Sequence, residues 1–203
     1  EKCDDIDNDC NDGIDEDCNE DDDDYCTASM TVVGTPKSCP LGGDDCNDNN
    51  ELINPGATEK CDDIDNDCVM GKDEGCDDDA DNFCDANMAT VGTPAVCPQG
   101  GLDCDDSNAA IKPGATEVCD NKDNNCSGAV DEGCDDDNDG YCDQNMGIIG
   151  TPDTCQQGSG DCNDTSPNVN PGAAELCNGI DDNCNGQSDE GAPACSDFFK
   201  DAD

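Results

Sequence analysis

The chain repeats itself every 58 residues, and this period constrains the possible fold more than any other feature of the sequence. The cysteines and the Gly-Thr-Pro and Pro-Gly turns recur in step without a gap, and only the fourth copy diverges, after Gly191. A fixed period of this length is typical of similar units stacked in a row and not of one globular core. The predicted units are residues 1–58, 59–116, 117–174 and a partial fourth copy, 175–203.

The composition leaves little for a hydrophobic core. Only 23 of 203 residues are Leu, Ile, Val or Phe, while 21 are cysteine, and 54 acidic against 7 basic side chains give a net charge of −47. So little apolar surface cannot offset the conformational entropy lost on folding. Cysteine at this frequency is typical of a disulfide scaffold. We therefore expect a small disulfide-rich fold, mostly irregular with short β-strands, arranged as a linear tandem-repeat rod stabilised by bound Ca²⁺.

Regular secondary structure is predicted to be sparse. The strand-like runs are short, such as 30–33 and 146–149, and each ends at a Gly-Thr-Pro turn. The Pro-Gly pairs fit a turn in which glycine supplies a positive φ. A few apolar positions recur and predict a miniature core in each unit. They are Tyr25, Phe83, Tyr141, Met30, Met88, Met146, Ile53, Ile111 and Val169.

The charge excludes several partners. Seven dispersed basic residues cannot form a nucleic-acid-binding surface, and no apolar run approaches the ~20 residues of a membrane span. The natural partner of this excess of negative charge is a metal cation. An enzyme is not expected, because the chain has no histidine base and its paired carboxylates recur in every copy, as ion sites would.

Three acidic segments recur, and the clearest resembles the start of an EF-hand calcium loop. These central loops, 19–27, 77–85 and 135–143, place oxygen ligands at positions 1, 3 and 5 and a bend residue at position 6. Gly140 fills position 6 in one copy, and Asp24 and Asn82, which tolerate a left-handed backbone, fill it in the others. Position 12 is methionine instead of glutamate, so the remaining ligands must come from elsewhere. The candidates, with the position-7 carbonyl included, are Asn19, Asp21, Asp23, Tyr25, Asp77, Asp79, Asp81, Phe83, Asp85, Asp135, Asp137, Asp139, Tyr141 and Asp143.

An amino-terminal loop near the start of each copy shows the same spacing. These loops are residues 7–16, 65–74, 123–132 and 181–190, with oxygens at positions 1, 3, 5 and 9 in the best copy. Val69 offers no side-chain oxygen at position 5, so we expect the second copy to bind most weakly. The candidate ligands are Asp7, Asp9, Asn11, Asp15, Glu16, Asp65, Asp67, Asp73, Glu74, Asp123, Asn125, Ser127, Asp131, Glu132, Asp181, Asn183, Asn185, Asp189 and Glu190.

The third segment, here called the DCxD segment, covers residues 45–48, 103–106 and 161–164 and precedes a Pro-Gly-Ala turn and a glutamate. A solvated acidic turn explains it as well as an ion site does. Its candidate ligands are Asp45, Asn47, Asp48, Glu59, Asp103, Asp105, Asp106, Glu117, Asp161, Asn163, Asp164 and Glu175. Ten separate segments with one divalent ion each would neutralise 20 of the 47 excess charges.

The cysteines favour disulfides over metal clusters, because no C-x-C or C-x-x-C pair occurs. Six cysteines allow 15 connectivities, and the spacing leads us to expect the local pairs Cys3–Cys10, Cys18–Cys26 and Cys39–Cys46 in each copy. In the last copy Cys177 would pair with Cys184, which leaves Cys195 for an intermolecular bond. The disulfide candidates are Cys3, Cys10, Cys18, Cys26, Cys39, Cys46, Cys61, Cys68, Cys76, Cys84, Cys97, Cys104, Cys119, Cys126, Cys134, Cys142, Cys155, Cys162, Cys177 and Cys184.

The repeats resemble a known family. The string from Glu175 to Gly191, preceded by Gly160–Asp164 and Asn170–Ala173, is similar to the metal-binding repeat named after the copper-binding surface protein MopE. The resemblance covers every unit and implies a non-catalytic, cation-binding module of secreted and cell-surface bacterial proteins. Copper is not carried over, because a chain without His or Trp and with hard oxygen donors suits calcium.

These observations predict a secreted or cell-surface-attached calcium-binding structural protein whose subunits join head to tail into a filament, stalk or rod. The tail from Ser196 to Asp203 ends in Asp-x-Asp, like the opening of a loop that a neighbouring subunit completes. The competing interpretation is that the sequence is a fragment of a longer array. The alternative function is a soluble acidic calcium store or mineral-binding protein, which explains the charge but not the bridges or the fixed period.

Overall fold

The computed structural model describes residues 1–10 and 13–192, and its chain divides into two compact units, Glu1–Ala109 and Ala110–Asp203. The described residues contain short strands, turns and bends, and none of them is helical. No helix there is long and apolar enough to cross a membrane. Asn11, Cys195 and the tail of the proposed head-to-tail contact lie outside the described residues.

Unit 1 holds the first repeat and most of the second. Strand β1 (Tyr25–Thr27) pairs in parallel with β2 (Gly42–Asp45), so that Thr27 stands opposite Asp45. In the second repeat the same pairing shrinks to one bridge between Asp85 and Asp103. Since the DCxD segment begins at the end of β2, this ladder brings it beside the end of the central loop.

Unit 2 shows the same scaffold more fully. Strand β3 (Val118–Cys119) pairs in parallel with β5 (Gly147–Ile148), and β4 (Tyr141–Asp143) pairs in parallel with β6 (Gly158–Asp161). The predicted strand over 146–149 is thus confirmed in its centre, while its counterpart over 30–33 contributes only a bridge from Val32 to Cys3.

Disulfides form the interior of each repeat. Four cysteines, Cys3, Cys18, Cys26 and Cys39, are fully buried together, with Met30 and Val32 packed against them. The Met30 sulfur lies 3.9 Å from Cys3 Sγ and 3.8 Å from Cys18 Sγ. The second and third repeats repeat this cluster. Of the predicted apolar positions, the three methionines pack against the cysteines, and Ile53, Ile111 and Val169 are buried outside these clusters.

The predicted local pairing of cysteines is wrong. Within a repeat the chain bonds Cys3 to Cys18 and Cys26 to Cys39, and Cys46 bonds to Cys68 of the next repeat. The same order gives Cys61–Cys76, Cys84–Cys97, Cys119–Cys134, Cys142–Cys155 and Cys162–Cys184. Cys104, Cys126 and Cys177 are also disulfide-bonded.

The reason for the error is that backbone pairing, and not closeness in sequence, decides which cysteines meet. Cys3 N donates to Thr31 O, which draws Cys3 into the interior beside Cys18, while Cys10 stays on the exposed surface as a free thiol. Cys184 is bonded to Cys162, so the expected Cys177–Cys184 pair does not form. One bridge of the first repeat and one of the third therefore lead to the next repeat.

Candidate metal centres

The central and amino-terminal loops share one backbone conformation. Positions 4 and 6 adopt a left-handed backbone in every loop wherever the structure describes them, as the sequence predicted for Asp24 (φ 76°) and Asn82 (φ 78°). The central loops have it at Asp22, Asp24, Ala80, Asn82, Asn138 and Gly140, and the amino-terminal loops at Cys10, Cys68, Met70, Cys126, Gly128, Cys184 and Gly186. Two reversals so close together curl the chain so that alternate side chains point inward.

The position-1 carboxylate holds this curl in place. Asp135 Oδ1 accepts from Asp139 N at 3.1 Å, and its Oδ2 accepts from Gly140 N at 2.9 Å. Asp139 Oδ1 in turn accepts from Tyr141 N at 2.8 Å. Asp77, Asp123 and Asp181 make the same pair of contacts as Asp135. In these four loops, backbone N–H groups therefore already occupy the position-1 carboxylate.

A buried aspartate from the DCxD segment joins each central loop. Asp45, Asp103 and Asp161 are 0–1 % exposed, although aspartate is almost never fully buried unless it is paired. Their Oδ1 atoms accept the backbone N–H two residues later, at 2.8–3.0 Å. Burial, together with the like charges of Asp139 and Asp137, raises the pKa of Asp161, and the pKa of Asp45 and that of Asp103 rise for the same reasons.

Buried carboxylate oxygens without a hydrogen-bond partner gather at this junction of two segments. In the first repeat they are Asp21 Oδ2, Asp23 Oδ2 and Asp45 Oδ2. Asp79 and Asp103 repeat this arrangement in the second repeat, and Asp137 and Asp161 in the third. Buried polar atoms are normally satisfied, and a buried charge needs a counter-charge. These oxygens therefore fit a hard cation between the central loop and the DCxD segment.

The amino-terminal loops gather their oxygens around the glutamate at position 10. Glu132 Oε1 accepts from Asn125 Nδ2 and Ser127 Oγ, both at 2.7 Å, while Oε2 is buried without a partner. Ser127 and then Asn125 lower the pKa of Glu132. Glu190 makes the same contacts with Asn183 and Asn185, and its pKa is lowered for the same reason. Positions 3, 5 and 10 thus converge on one point.

The second amino-terminal loop lacks this support. Val69 offers no donor at position 5, and Asp65 Oδ1 and Glu74 Oε2 are buried without partners. Burial, followed by repulsion from Glu59, Asp67 and Asp65, raises the pKa of Glu74, whereas the pKa values of Glu132 and Glu190 are lowered. In the first copy both carboxylate oxygens of Glu16 are likewise buried without partners. That the second copy binds most weakly stays a prediction.

Several candidate ligands instead accept backbone N–H groups. Glu59 accepts from the N–H groups of Asn66, Asp67 and Asp73, and Glu117 and Glu175 brace their own loops in the same way. The position-9 aspartates of the amino-terminal loops accept from the segment just before the loop. They are Asp15, Asp73, Asp131 and Asp189. These carboxylates hold the loops in shape.

The last residue of each DCxD segment accepts the backbone N–H at position 2 of the central loop, and Asp164 Oδ1 is itself a buried oxygen without a hydrogen-bond partner. Asp106 accepts from Asp78 N, and Asp164 accepts from Asp136 N. Burial, followed by the repulsion of neighbouring carboxylates, raises the pKa of Asp106 and that of Asp164 to about 6. Asp48 makes the equivalent contact with Glu20 N, and its pKa is also raised by burial. At position 9, Asp85 and Asp143 accept from the asparagine two residues later.

Sulfur does not contribute free donors to these sites. The cysteines that cluster closely, such as Cys3, Cys18 and Cys26, are all disulfide-bonded. Within residues 1–10 and 13–192, Cys10 is the free thiol. The donor set at both kinds of site is therefore carboxylate, amide and hydroxyl oxygen, which suits hard divalent cations.

Sequence reasoning missed two features of these sites. It treated the central loop and the DCxD segment as separate, whereas the parallel ladder makes them one cluster. It also placed Asp45, Asp103 and Asp161 on a segment that a solvated turn explained equally well. The missing glutamate at position 12 of the central loop was the signal that pointed to a ligand from elsewhere.

Fold and site together define a class: an acidic tandem-repeat protein, braced by disulfides, with oxygen-lined loops in each repeat. The profile of the family Cu-binding MopE, described as a "Putative metal-binding motif", matches residues 1–16, 45–69, 103–132 and 161–190, about half of the chain. The chain is thus a tandem array of this motif, which confirms the resemblance seen in the sequence. Its repeats belong to a metal-binding family whose name points to copper. No curated protein and no solved structure matches the chain.

The matched segments do not follow the 58-residue units counted from Glu1. Two of them run from a DCxD segment through the whole amino-terminal loop of the next repeat. The family motif therefore spans the junction between repeats, where Cys162 bonds Cys184. The central loops at 19–27, 77–85 and 135–143 lie outside the matched segments.

Proposed function

We propose that this chain is an extracellular calcium-binding structural protein, without catalytic activity, whose repeats are held in shape by ions and disulfides. The single observation that carries the proposal is the cluster of buried carboxylate oxygens without hydrogen-bond partners. Asp21, Asp23 and Asp45 each contribute one such oxygen. Without a cation, this arrangement would leave desolvated like charges side by side, which a chain this poor in apolar contacts has little means to offset.

Calcium is the cation that the donors support best. Ca²⁺ takes six to eight oxygen ligands in flexible geometry, and two loops with alternating carboxylates can supply such a shell. Copper, which the family name suggests, prefers imidazole or soft sulfur donors. The chain has no histidine, and its clustered cysteines are bonded to each other.

A structural role and secretion rest on different observations. Disulfides at this density persist in oxidising compartments, which supports an extracellular location, either free or attached to a cell surface. The bridge from Cys46 to Cys68 cross-links successive repeats in addition to the peptide chain, which supports the role of a stalk or filament subunit. A soluble calcium store needs acidic loops but has no need for bridges between repeats.

Terbium luminescence tests the metal sites one repeat at a time. Tb³⁺ replaces Ca²⁺ in oxygen sites and is excited by a nearby tyrosine; Tyr25 and Tyr141 stand at position 7 of two central loops, where the second repeat has Phe83. We expect Y25F to remove the signal of the first repeat and Y141F that of the third. Phe83 shows that phenylalanine is accepted at this position.

Excess Ca²⁺ should quench the luminescence at both tyrosines, whereas Cu²⁺ at the same free concentration should compete poorly in a redox-inert buffer. Absence of a tyrosine-sensitised signal, or stronger competition by Cu²⁺ at a matched free concentration, would contradict the calcium assignment.

Electron microscopy with and without EGTA addresses assembly separately. Filaments that come apart when calcium is removed are expected, and discrete particles in calcium would remove the filament role.

A further inference from the structure

Two described junctions between repeats are closed by a disulfide that stands next to ligands of two different sites. Cys162 directly follows Asp161, the buried aspartate of the third central site. Its partner Cys184 is position 4 of the next amino-terminal loop, between Asn183 and Asn185. Cys46 and Cys68 form the same bridge between the first and second repeats.

Close contacts surround the bridge at both junctions. Cys162 N donates to Cys184 Sγ at 3.1 Å, and Cys162 Sγ lies 3.8 Å from the carbonyl oxygen of Asp181, position 1 of the loop. At the other junction Cys46 N donates to Cys68 Sγ at 3.0 Å. The same geometry therefore recurs at these two junctions, where the bridge packs against the backbone of the loop.

One asparagine touches both sites at the junction of the third and fourth repeats. Asn170 Nδ2 donates to Asp139 Oδ2 at 2.7 Å, at position 5 of the central loop. The backbone N–H of the same residue donates to Asp182 O at 2.9 Å, inside the next amino-terminal loop. Asn170 is 9 % exposed and Asp182 is 2 % exposed, so water does not replace these contacts easily.

We propose that the central site of one repeat and the amino-terminal site of the next bind their cations cooperatively through this junction. The inference rests on the proposed function, because it requires both sites to hold ions. An ion on Asp161 fixes Cys162, and the bridge then restricts Cys184 in the middle of the second loop. The second ion meets a loop that is already ordered, so less conformational entropy is lost when it binds.

The two states that such coupling requires follow from the charge of the sites. Without ions, carboxylates repel one another on both sides of the bridge, and the loops fluctuate. With ions, both loops close on their ligands. Binding at either site therefore shifts the other toward the closed state, and the effect must be reciprocal.

The test uses the full oxidised chain in a Y25F background, in which Tyr141 alone reports on the central site of the third repeat. Tb³⁺ is titrated against this protein and against E190Q, which removes a carboxylate from the amino-terminal site of the fourth repeat. Glu190 Oε2 makes no hydrogen bond, and Gln keeps the oxygen that accepts from Asn183. We expect E190Q to weaken Tb³⁺ binding at Tyr141 about five-fold or more.

The matched control is E74Q, the same change in the second repeat, whose bridge leads to Cys46 and not to the third repeat. It should leave the Tyr141 titration unchanged. In a C162S/C184S background the effect of E190Q should shrink below about two-fold, since coupling energies are lost when the connecting interaction is removed. N170A keeps the disulfide and removes the side-chain contact with Asp139. This variant should also reduce the effect of E190Q, and it tests the proposal if the C162S/C184S variant does not fold.

Each result has a distinct meaning. If E190Q and E74Q affect the Tyr141 site equally, the sites are independent and the proposal is wrong. An undiminished E190Q effect in both junction variants would show that the junction does not carry the coupling. Absence of any Tb³⁺ signal at Tyr141 in the parent protein would instead overturn the proposed function itself, and the two failures are thereby separated.

Discussion

Replacing Asp161 with asparagine should stabilise the third repeat without calcium and destabilise it with calcium. Asparagine keeps the size of the side chain and the oxygen that accepts from Asn163 N at 2.8 Å. It removes the charge of a fully buried carboxylate whose Oδ2 has no hydrogen-bond partner. Its new amide group faces the region of Asp137 and Asp139, whose repulsion helps to raise the pKa of Asp161.

The two effects differ in size as well as in sign. At a calcium concentration 100 times the dissociation constant, one site stabilises the folded state by about 2.7 kcal/mol. If the lost carboxylate weakens the site about 100-fold, the same relation leaves about 0.4 kcal/mol, so the loss is about 2.3 kcal/mol. Without calcium, removal of one like-charge contact should add at least about 1 kcal/mol, the interaction of two unit charges 4 Å apart in bulk water. Because this gain persists in calcium, the net destabilisation there should be at most about 1.3 kcal/mol.

Guanidinium unfolding followed by tyrosine fluorescence, in a Y25F background, measures both effects in the oxidised protein. The control is D153N, which removes a charge from an exposed position of the same repeat and should change stability by less than about 0.5 kcal/mol in either buffer. If D161N destabilises the protein equally in calcium and in EDTA, Asp161 is a structural acceptor and not a ligand. Equal stabilisation by D161N in both buffers would show that Asp161 contributes only to charge repulsion and does not bind calcium.

Three further predictions follow from the same sites. Burial and repulsion raise the pKa of Asp106 and that of Asp164 to about 6, above the ordinary 3.8, so between these pH values the folded ion-free protein binds more protons than the unfolded chain. The folded protein should therefore gain stability as the pH falls from 7 toward 5. Guanidinium unfolding midpoints in EDTA that do not change over this range would contradict this prediction. Met70 adopts a left-handed φ of 65° at position 6 of the second amino-terminal loop, where two other copies have glycine. Because glycine adopts this backbone without a steric penalty, M70G should raise the free energy of unfolding by about 0.5 kcal/mol in the same assay, while M70A should not. Native mass spectrometry should find two calcium ions per complete repeat, because the central loop and the DCxD segment share one site, and three per repeat would show that they bind separately.

The local conformation of the loops could be predicted from the sequence because it depends on residues within one loop. Asp24 and Asn82 adopt the left-handed backbone at the bend, as their side chains permit. The Pro-Gly turn was predicted for the wrong reason in two copies. Gly56 and Gly172 do not need a positive φ there; instead a Cβ at Gly56 would stand 2.6 Å from the hydroxyl of Tyr25. Close approach by a side chain 31 residues earlier leaves no local signal.

Contacts between distant segments could not be predicted in the same way. The pairing of Cys3 with Cys18 follows from a backbone contact between Cys3 and Thr31, and three short parallel ladders decide which segments meet. Such ladders need only two or three residues, so they leave no alternating apolar pattern in the sequence. The joining of Asp45 to the central loop is a consequence of the same ladder, which is why the site looked like two separate segments.

The charge that remains after ion binding decides how such a chain can associate. Two calcium ions per complete repeat cancel only a small part of the net charge of −47, since most acidic side chains lie outside the buried clusters. The ions therefore relieve repulsion where carboxylates are desolvated, while the outer surface still repels other copies, less so at high salt. Any contact between copies must accordingly bring its own compensation, either cations shared between two acidic surfaces or a covalent bond. The bridges between successive repeats, from Cys46 to Cys68 and from Cys162 to Cys184, are the covalent solution within one chain.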